Sequence, residues 1–406
     1  MRLGARTRYW VTRQEERKLT QLTGKSKNQH EIAHQALSAP LSLGNLSLNN
    51  RIFMAPLTRS RSAQPGNLQT ALHALYYSQR ASAGLIISEA TQISQEGQGY
   101  AWTPGIHNDE QVKRWRLVTE AVHNRGGRIV CQLWHVGAIS HRVFQPDNGR
   151  PVSSSEFQPK GEAFVGDLHP DGPTIPHPKA RALTLDDIQR LKNDYRHGAQ
   201  CAKSAGFDGV ELCAANGYLL DQFIRSSVNK RDDQYGGSVE NRLRLLSEII
   251  DVISEVLPKW NIGVRLSPTG GPGGSYDDDP QTTYVAAAAA VSAKGIAYLH
   301  VVRPNNYTGD GSGVEQGSEL LKKMRGAFDG IFIANGGFDA KEGAQWIRNG
   351  DADAIAFGRA FLANPDLPAR IAQDGPYNEP DEETFYGGGS EGYVDYPTLS
   401  HRTSAL

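Results

Sequence analysis

A chain of 406 residues with a formal net charge of −1 gives no electrostatic reason to expect nucleic acid or an anionic membrane as partner. Hydrophobic residues make up 38% and charged residues 21%, which excludes a disordered chain and allows one large domain or two medium ones. Cys131, Cys201 and Cys213 are too few and too scattered for a disulfide framework or a structural zinc site, so a reducing cytoplasm is the simplest location.

Residues 1–38 are basic and lack both an apolar core and a small-residue cleavage pattern. They read as a disordered extension ahead of a single domain over 39–406. The first predicted strand is RIFMAP (51–56), with Thr58 and Arg59 just beyond it. GLIISEA (84–90) is the second and ends at Glu89 and Ala90. DEQVKRWRLVTEAVHNRGG carries apolar positions at helical spacing and stops at Gly126. The third strand, RIVCQLW (128–134), closes on Gln132, Trp134 and His135. A stretch rich in Pro, Gly and Ser follows over 138–183. TLDDIQRLKNDYRHGAQCAKSAGF is a helix opened by a Thr184 cap and acidic first-turn residues.

GVELC (209–213) is the fourth strand, with Asn216 and Tyr218 just past it. The fifth, IGVRLS (262–267), holds Arg265 and leads into a second long loop, 267–282. YVAAAAAV (284–291) falls short of the roughly 20 apolar residues of a membrane span and reads as the buried face of a helix. AYLHVV (297–302) carries His300 late in the sixth strand. IFIAN (331–335) runs into Gly336 and Gly337, and DAIAF (353–357) into Gly358 and Arg359. A tail begins at about 372.

Eight short β-branched runs alternating with helices argue for a parallel sheet covered by helices, and at this length for an α/β fold of the (β/α)8 TIM-barrel type. Such a barrel takes about 250 residues, and the excess lies in 138–183, 267–282 and the tail. The first two loops follow strands three and five. They belong to the C-terminal face as lids or binding loops, unless they are tolerated surface insertions. Polar residues cluster past the C-terminal end of nearly every strand, where barrel enzymes build their sites. The glycine corners after strands seven and eight, with Arg359, match the recurrent phosphate pocket of this architecture. Arg265, a cation in an apolar strand, needs either a structural carboxylate or a bound cofactor. Gln132 can present its amide to a planar heterocycle, and Trp134 can form a wall.

NRIFMAPLTRSR, GLIISEATQIS, GQGYAWTPGI, QLWHVG, ANGYLLDQF, YGGSVENR, GVRLSP, FGRAFLANPDL, TFYGGG and EGYVDYPTL occur in one order. On these motifs the chain, from about residue 40 to 399, resembles the old yellow enzyme family of FMN-dependent ene-reductases, in particular its N-ethylmaleimide reductase-like and 12-oxophytodienoate reductase-like members. The resemblance implies FMN across the barrel mouth, with Pro56, Leu57 and Thr58 against the isoalloxazine and Ala90 contributing backbone contacts. It implies Gln132 on the pyrimidine edge, Arg265 beside N1, and Gly336, Gly337, Gly358 and Arg359 on the phosphate. The implied reaction is ping-pong. NADPH or NADH gives up a hydride and leaves; an α,β-unsaturated carbonyl then takes hydride at its β carbon while Tyr218 protonates the α carbon. Cys213, Asn216, Trp134 and Tyr386 are implied around this small-molecule substrate. Family members occur as monomers and homodimers, and both states stay open.

The family pattern has a His, then a His or Asn three residues later, holding the substrate oxygen. Here the second is Asn216 but the first is Cys213, and a neutral thiol is a weak donor. Three readings follow. The enzyme reduces enones with altered preference; or nitro compounds, nitrate esters or quinones suit it better; or Cys213 only packs, or is oxidised to regulate activity. His135 and Tyr100 are candidates to replace the lost donor. The rivals to this family are a flavin-free phosphate-binding barrel such as an aldolase, which lacks a strand-end lysine here, and a flavin-binding protein that has lost catalysis.

Overall fold

The computed structural model describes residues 35–269, 271–304 and 314–400, so most of the basic extension lies outside the described residues. Residues 35–38 are helical and already bury Leu37 in the core. Eight strands form the barrel: β1 Ile52–Met54, β2 Ile86–Ile87, β3 Ile129–Trp134, β4 Gly209–Ala214, β5 Ile262–Leu266, β6 Tyr298–Val302, β7 Ile331–Asn335 and β8 Ala354–Phe357. Each pairs in parallel with the next, and β8 pairs with β1 through Ile355 and Ile52, so the sheet closes.

Period-two alternation sorts the side chains. Outward positions such as Ile129, Cys131 and Leu133 of β3 meet the surrounding helices. These are α1 Ala71–Gln79, α2 Asp109–His123, α3 Leu185–Ser204, α4 Leu219–Ile224, α5 Val239–Ser254 and α6 Pro280–Ala293. Four more follow: α7 Val314–Gly326, α8 Ala340–Asn349, α9 Arg359–Ala363 and α10 Leu367–Gln373. The expected cap of α3 is present as a reciprocal pair, Thr184 Oγ1 accepting from Asp187 N and the Asp187 carboxylate accepting from Thr184 N.

Inward positions differ between the two halves of the barrel. In the lower half Phe53, Leu85, Val130, Tyr298, Ile333 and Ala354 form an apolar plug. A hairpin, Leu41–Leu43 with Leu46–Leu48, closes the N-terminal end by adding Leu43 and Leu48 to that plug. In the upper half the inward residues turn polar, and the long loops rise from this end. Within 138–183 the chain makes an antiparallel pair, Glu162–Phe164 with Thr174–Pro176. That insertion touches the 267–282 loop through Lys160 N donating to Gly273 O at 2.9 Å.

Candidate active site

The turn after β4 is built by two successive left-handed residues, Asn216 at φ +58° and Gly217 at φ +71°. Asn and Gly are the residues that tolerate this region, so the sequence Asn-Gly has a backbone reason as well as a chemical one. The turn is pinned from below. Gly217 N donates to Asp221 Oδ2 at 2.7 Å, and Asn216 N donates to Ser267 Oγ at 2.6 Å. Asp221 also receives Arg225 Nε at 2.7 Å and the Tyr284 hydroxyl at 2.5 Å, with both members of the ion pair fully buried. Helix α4 starts at once and buries every residue from Leu219 to Ile224, which anchors the turn to the core.

Tyr218, the residue before α4, stands against Trp134, ring edge to face at 5.0 Å. Tyr100 stacks on the same indole at 5.7 Å, and its hydroxyl lies 3.3 Å from that of Tyr218. Burial pushes the Tyr218 phenol well above its ordinary range, so it stays protonated near neutral pH, and burial pushes Tyr100 up to about 12. Tyr100 therefore reaches the cluster. His135 does not: its buried ring accepts from Gly137 N at 3.1 Å and turns Nε2 towards Glu96, 3.7 Å away. Cys213 packs with Ala90, Trp134, Val136 and Ile139 beneath the two phenols. Only 1% of it is exposed, and burial pushes its thiol up to about 12. Redox-sensing cysteines need access and thiolate character, so the surroundings of Cys213 offer no support for regulatory oxidation.

A cavity of about 560 Å³ opens at the C-terminal mouth. Pro56, Leu57 and Thr58 line one side, and Asn216 and Arg265 lie across from them. Gly336, Gly337, Gly358 and Arg359 close the third side, and Tyr386 reaches in from the tail. Of the remaining predicted site residues, Gln132 points into the barrel below, while Cys213, Trp134 and Ala90 belong to the adjoining buried cluster against which the half-buried Tyr218 packs. Arg265 makes no ion pair among the described residues. Its Nη2 donates to Asn335 Oδ1 at 3.1 Å, and its buried Nε has no protein partner. Among the described residues no carboxylate is in ion-pair contact with Arg265, although the buried Glu211 acts on it at longer range, and this favours the cofactor alternative.

Gly336 and Gly337 take φ of +116° and +77°, and a Cβ on Gly336 would fall 2.6 Å from the Arg303 carbonyl oxygen. Arg303 braces this corner. Its Nε donates to Gly336 O at 2.8 Å, its guanidinium lies 3.7 Å over the Phe338 ring, and it pairs with Glu342. Nothing in the local sequence marks that role, because these three partners come 33 to 39 residues later.

Arg59 also differs in role from its neighbours at the strand ends. It holds the tail, donating to the carbonyls of Phe385 at 2.9 Å, Thr384 at 3.2 Å and Gly392 at 2.8 Å. Arg61 adds bonds to Thr384 O and Gly389 O, and both guanidinium groups lie over the Tyr393 ring. Folded back in this way, the tail sets Tyr386 at the mouth with 63% of its surface still exposed.

A closed barrel carrying a glycine-cradled corner, a buried cation with no carboxylate in contact among the described residues, and a phenol at one mouth is an enzyme barrel built to hold an anionic cofactor. The family model described as NADH:flavin oxidoreductase / NADH oxidase matches residues 36–378. Putative 12-oxophytodienoate reductase 5 of Oryza sativa subsp. japonica is 43% identical over 359 residues, covering 88% of this chain and 92% of the relative. 12-oxophytodienoate reductase 2 of Arabidopsis thaliana is 39% identical over 367 residues, 89% of this chain and 96% of its own. The solved structure of morphinone reductase superposes with a TM-score of 0.85 at 47% identity, covering 90% and 97% of the two chains. The chain belongs to the NADH:flavin oxidoreductase family, the old yellow enzyme group, and is an FMN-dependent oxidoreductase on a TIM barrel.

The residues present fit FMN. The orphaned Arg265 Nε lies in the wall of the cavity, and Gly336, Gly337 and Gly358 line it beside Arg359 with no side chain of their own to occupy the space. Among the described residues no helix is long and apolar enough to cross a membrane.

Proposed function

We propose that the protein is a cytoplasmic ene-reductase that passes electrons from NADH or NADPH to the activated C=C of α,β-unsaturated carbonyl compounds. The observation that supports this reading best is the pairing of Asn216 and Tyr218 on one rigid turn at the barrel mouth. Bound FMN supplies the two-electron store between nicotinamide and acceptor. Pro56, Leu57, Thr58 and Ala90 would hold its ring, Gln132 and Arg265 its pyrimidine side, and Gly336, Gly337, Gly358 and Arg359 its phosphate.

The chain's own residues then do three things. Asn216 donates to the carbonyl oxygen, which gains negative charge in the transition state; a donor fixed in advance is worth most there. Tyr218 holds a proton on its hydroxyl for the α carbon, with Tyr100 as the neighbouring phenol. Trp134 and Tyr386 shut the substrate in from two sides and limit access of water. The test is anaerobic mixing of the yellow enzyme with NADH or NADPH, followed by a panel of oxidants. Bleaching followed by reoxidation with enones supports the reading. Bleaching with no reoxidation by any enone would overturn it.

A second reading follows from Cys213. With one strong donor instead of two, acceptors that depend less on a carbonyl clamp, such as nitro compounds or quinones, gain ground relative to enones. Cys213→His is expected to raise kcat/KM for cyclohexenone, by up to about 10²-fold if a full oxyanion donor is restored. Unchanged kcat and KM would show that the thiol does not weaken the clamp.

A further inference from the structure

Directly beneath the mouth, inward side chains of β3, β4 and β6 form a polar chain that the reaction above leaves unused. Glu211 is wholly buried inside the barrel and accepts two hydrogen bonds, from Gln132 Nε2 at 2.7 Å and from His300 Nδ1 at 2.9 Å. In the strand register Gln132 lies beside Glu211, and Arg265 lies between Cys213 of β4 and His300 of β6. Burial works against the Glu211 charge, but His300, Arg265 and the Gln132 amide outweigh it and hold the carboxyl below its ordinary range. Burial lowers the His300 imidazole while Glu211 raises it, and in either protonation state its Nδ1–H can donate to the carboxylate. The next inward layer down is filled by Val130, Tyr298 and Ile333. A buried carboxylate is an expensive replacement for such packing.

An ionised carboxylate can only accept hydrogen bonds. The end of the Gln132 amide that faces Glu211 must therefore be its NH2 group. That leaves the amide carbonyl oxygen to accept from a ligand, and it stops the amide from flipping. The same negative charge sits close enough to Arg265 to moderate the field that this cation casts on the cavity.

We propose that Glu211, steadied by His300, is a positioning residue for the flavin: it locks Gln132 with its acceptor oxygen towards the pyrimidine edge and partly offsets Arg265. The proposal rests on the flavin reading above and adds two residues outside the cavity wall. Replacing Glu211 by Gln frees the Gln132 amide to flip and removes a negative charge from beneath the ring. FMN affinity of the deflavinated enzyme should fall about tenfold. The flavin midpoint potential should rise, because the extra electrons of the reduced form meet less repulsion. A tenfold change in that two-electron equilibrium is about 30 mV.

A double-mutant cycle separates positioning from mere folding. In a Gln132→Ala background, Glu211→Gln should no longer weaken FMN binding, although the potential should still rise. An equal loss of affinity in both backgrounds, or an affinity and potential identical to wild type, would overturn the proposal. Should Glu211→Gln fail to fold, wild-type enzyme answers the same question with FMN methylated at N3. That analogue lacks the imide N–H and should bind about tenfold more weakly than FMN; equal binding overturns the assigned orientation of Gln132. Wild-type protein that takes up no FMN would overturn the flavin reading itself, and this proposal with it.

Discussion

Tyr218→Phe is expected to slow reoxidation of the reduced enzyme by enones by about 10²-fold or more, the usual range for removing a positioned general acid. Reduction by NADH or NADPH should keep its wild-type rate, since it needs no proton from this phenol. The substitution is a clean one. Phe keeps the ring that packs edge-on against Trp134, and among the described residues the one hydrogen bond of the hydroxyl that is lost is that to Tyr100 at 3.3 Å. KM for the enone should therefore change little while kcat falls. The raised Tyr218 phenol gives a second expectation with a definite sign. A group protonated throughout the neutral range imposes no inflection there, so the wild-type reoxidation rate should stay flat between about pH 6 and about pH 9. Stopped-flow measurement of the two half-reactions checks both points, and equal slowing of the two would remove Tyr218 from proton delivery.

Asp221→Ala is expected to destabilise the protein by about 3–5 kcal/mol, the range for removing one partner of a buried ion pair. Three donors converge on this carboxylate: Gly217 N, Arg225 Nε and the Tyr284 hydroxyl. Gly217 N and the Tyr284 hydroxyl would be left buried without an acceptor, and Arg225, itself fully buried, would lose its counter-charge. Arg225 would keep its bonds to the carbonyls of Ser267 and Ser275, at 2.8 and 3.0 Å, which hold the loop after β5. The pair is not a gain in itself, because burial pushes the Asp221 carboxyl up even with Arg225 beside it. Its value is that the turn carrying Asn216 and Tyr218 has one arrangement only. Urea unfolding measures the loss, and a change under 1 kcal/mol would show that the turn does not depend on Asp221.

The barrel was legible because both faces of a parallel strand are buried, so runs such as IGVRLS and IFIAN stand out and their ends fall within a residue or two of the observed strands. Strand two was the exception. GLIISEA supplies only Ile86 and Ile87 to the barrel, because the chain bends at Glu89 and pairs again with β3 through Thr91 and Gln92. A charge inside an apolar strand marks Arg265 in GVRLSP, and by the same criterion Glu211 in GVELC marks an inward polar position. The roles of Arg59 and Arg303 were beyond sequence reading. Each acts on carbonyl oxygens, which any residue supplies, and Arg59 reaches across more than 320 positions to do so.

That last distance has a consequence for synthesis. The barrel closes only when β8 meets β1, about 300 residues after β1 has left the ribosome, and the mouth gains Tyr386 only when Arg59 captures the tail. Contacts of such long range form late. A growing chain would thus expose its cavity-lining segment, Pro56 to Thr58, for most of translation. Cofactor loading becomes a post-translational event, and a shortage of FMN would be felt by finished barrels rather than by nascent ones.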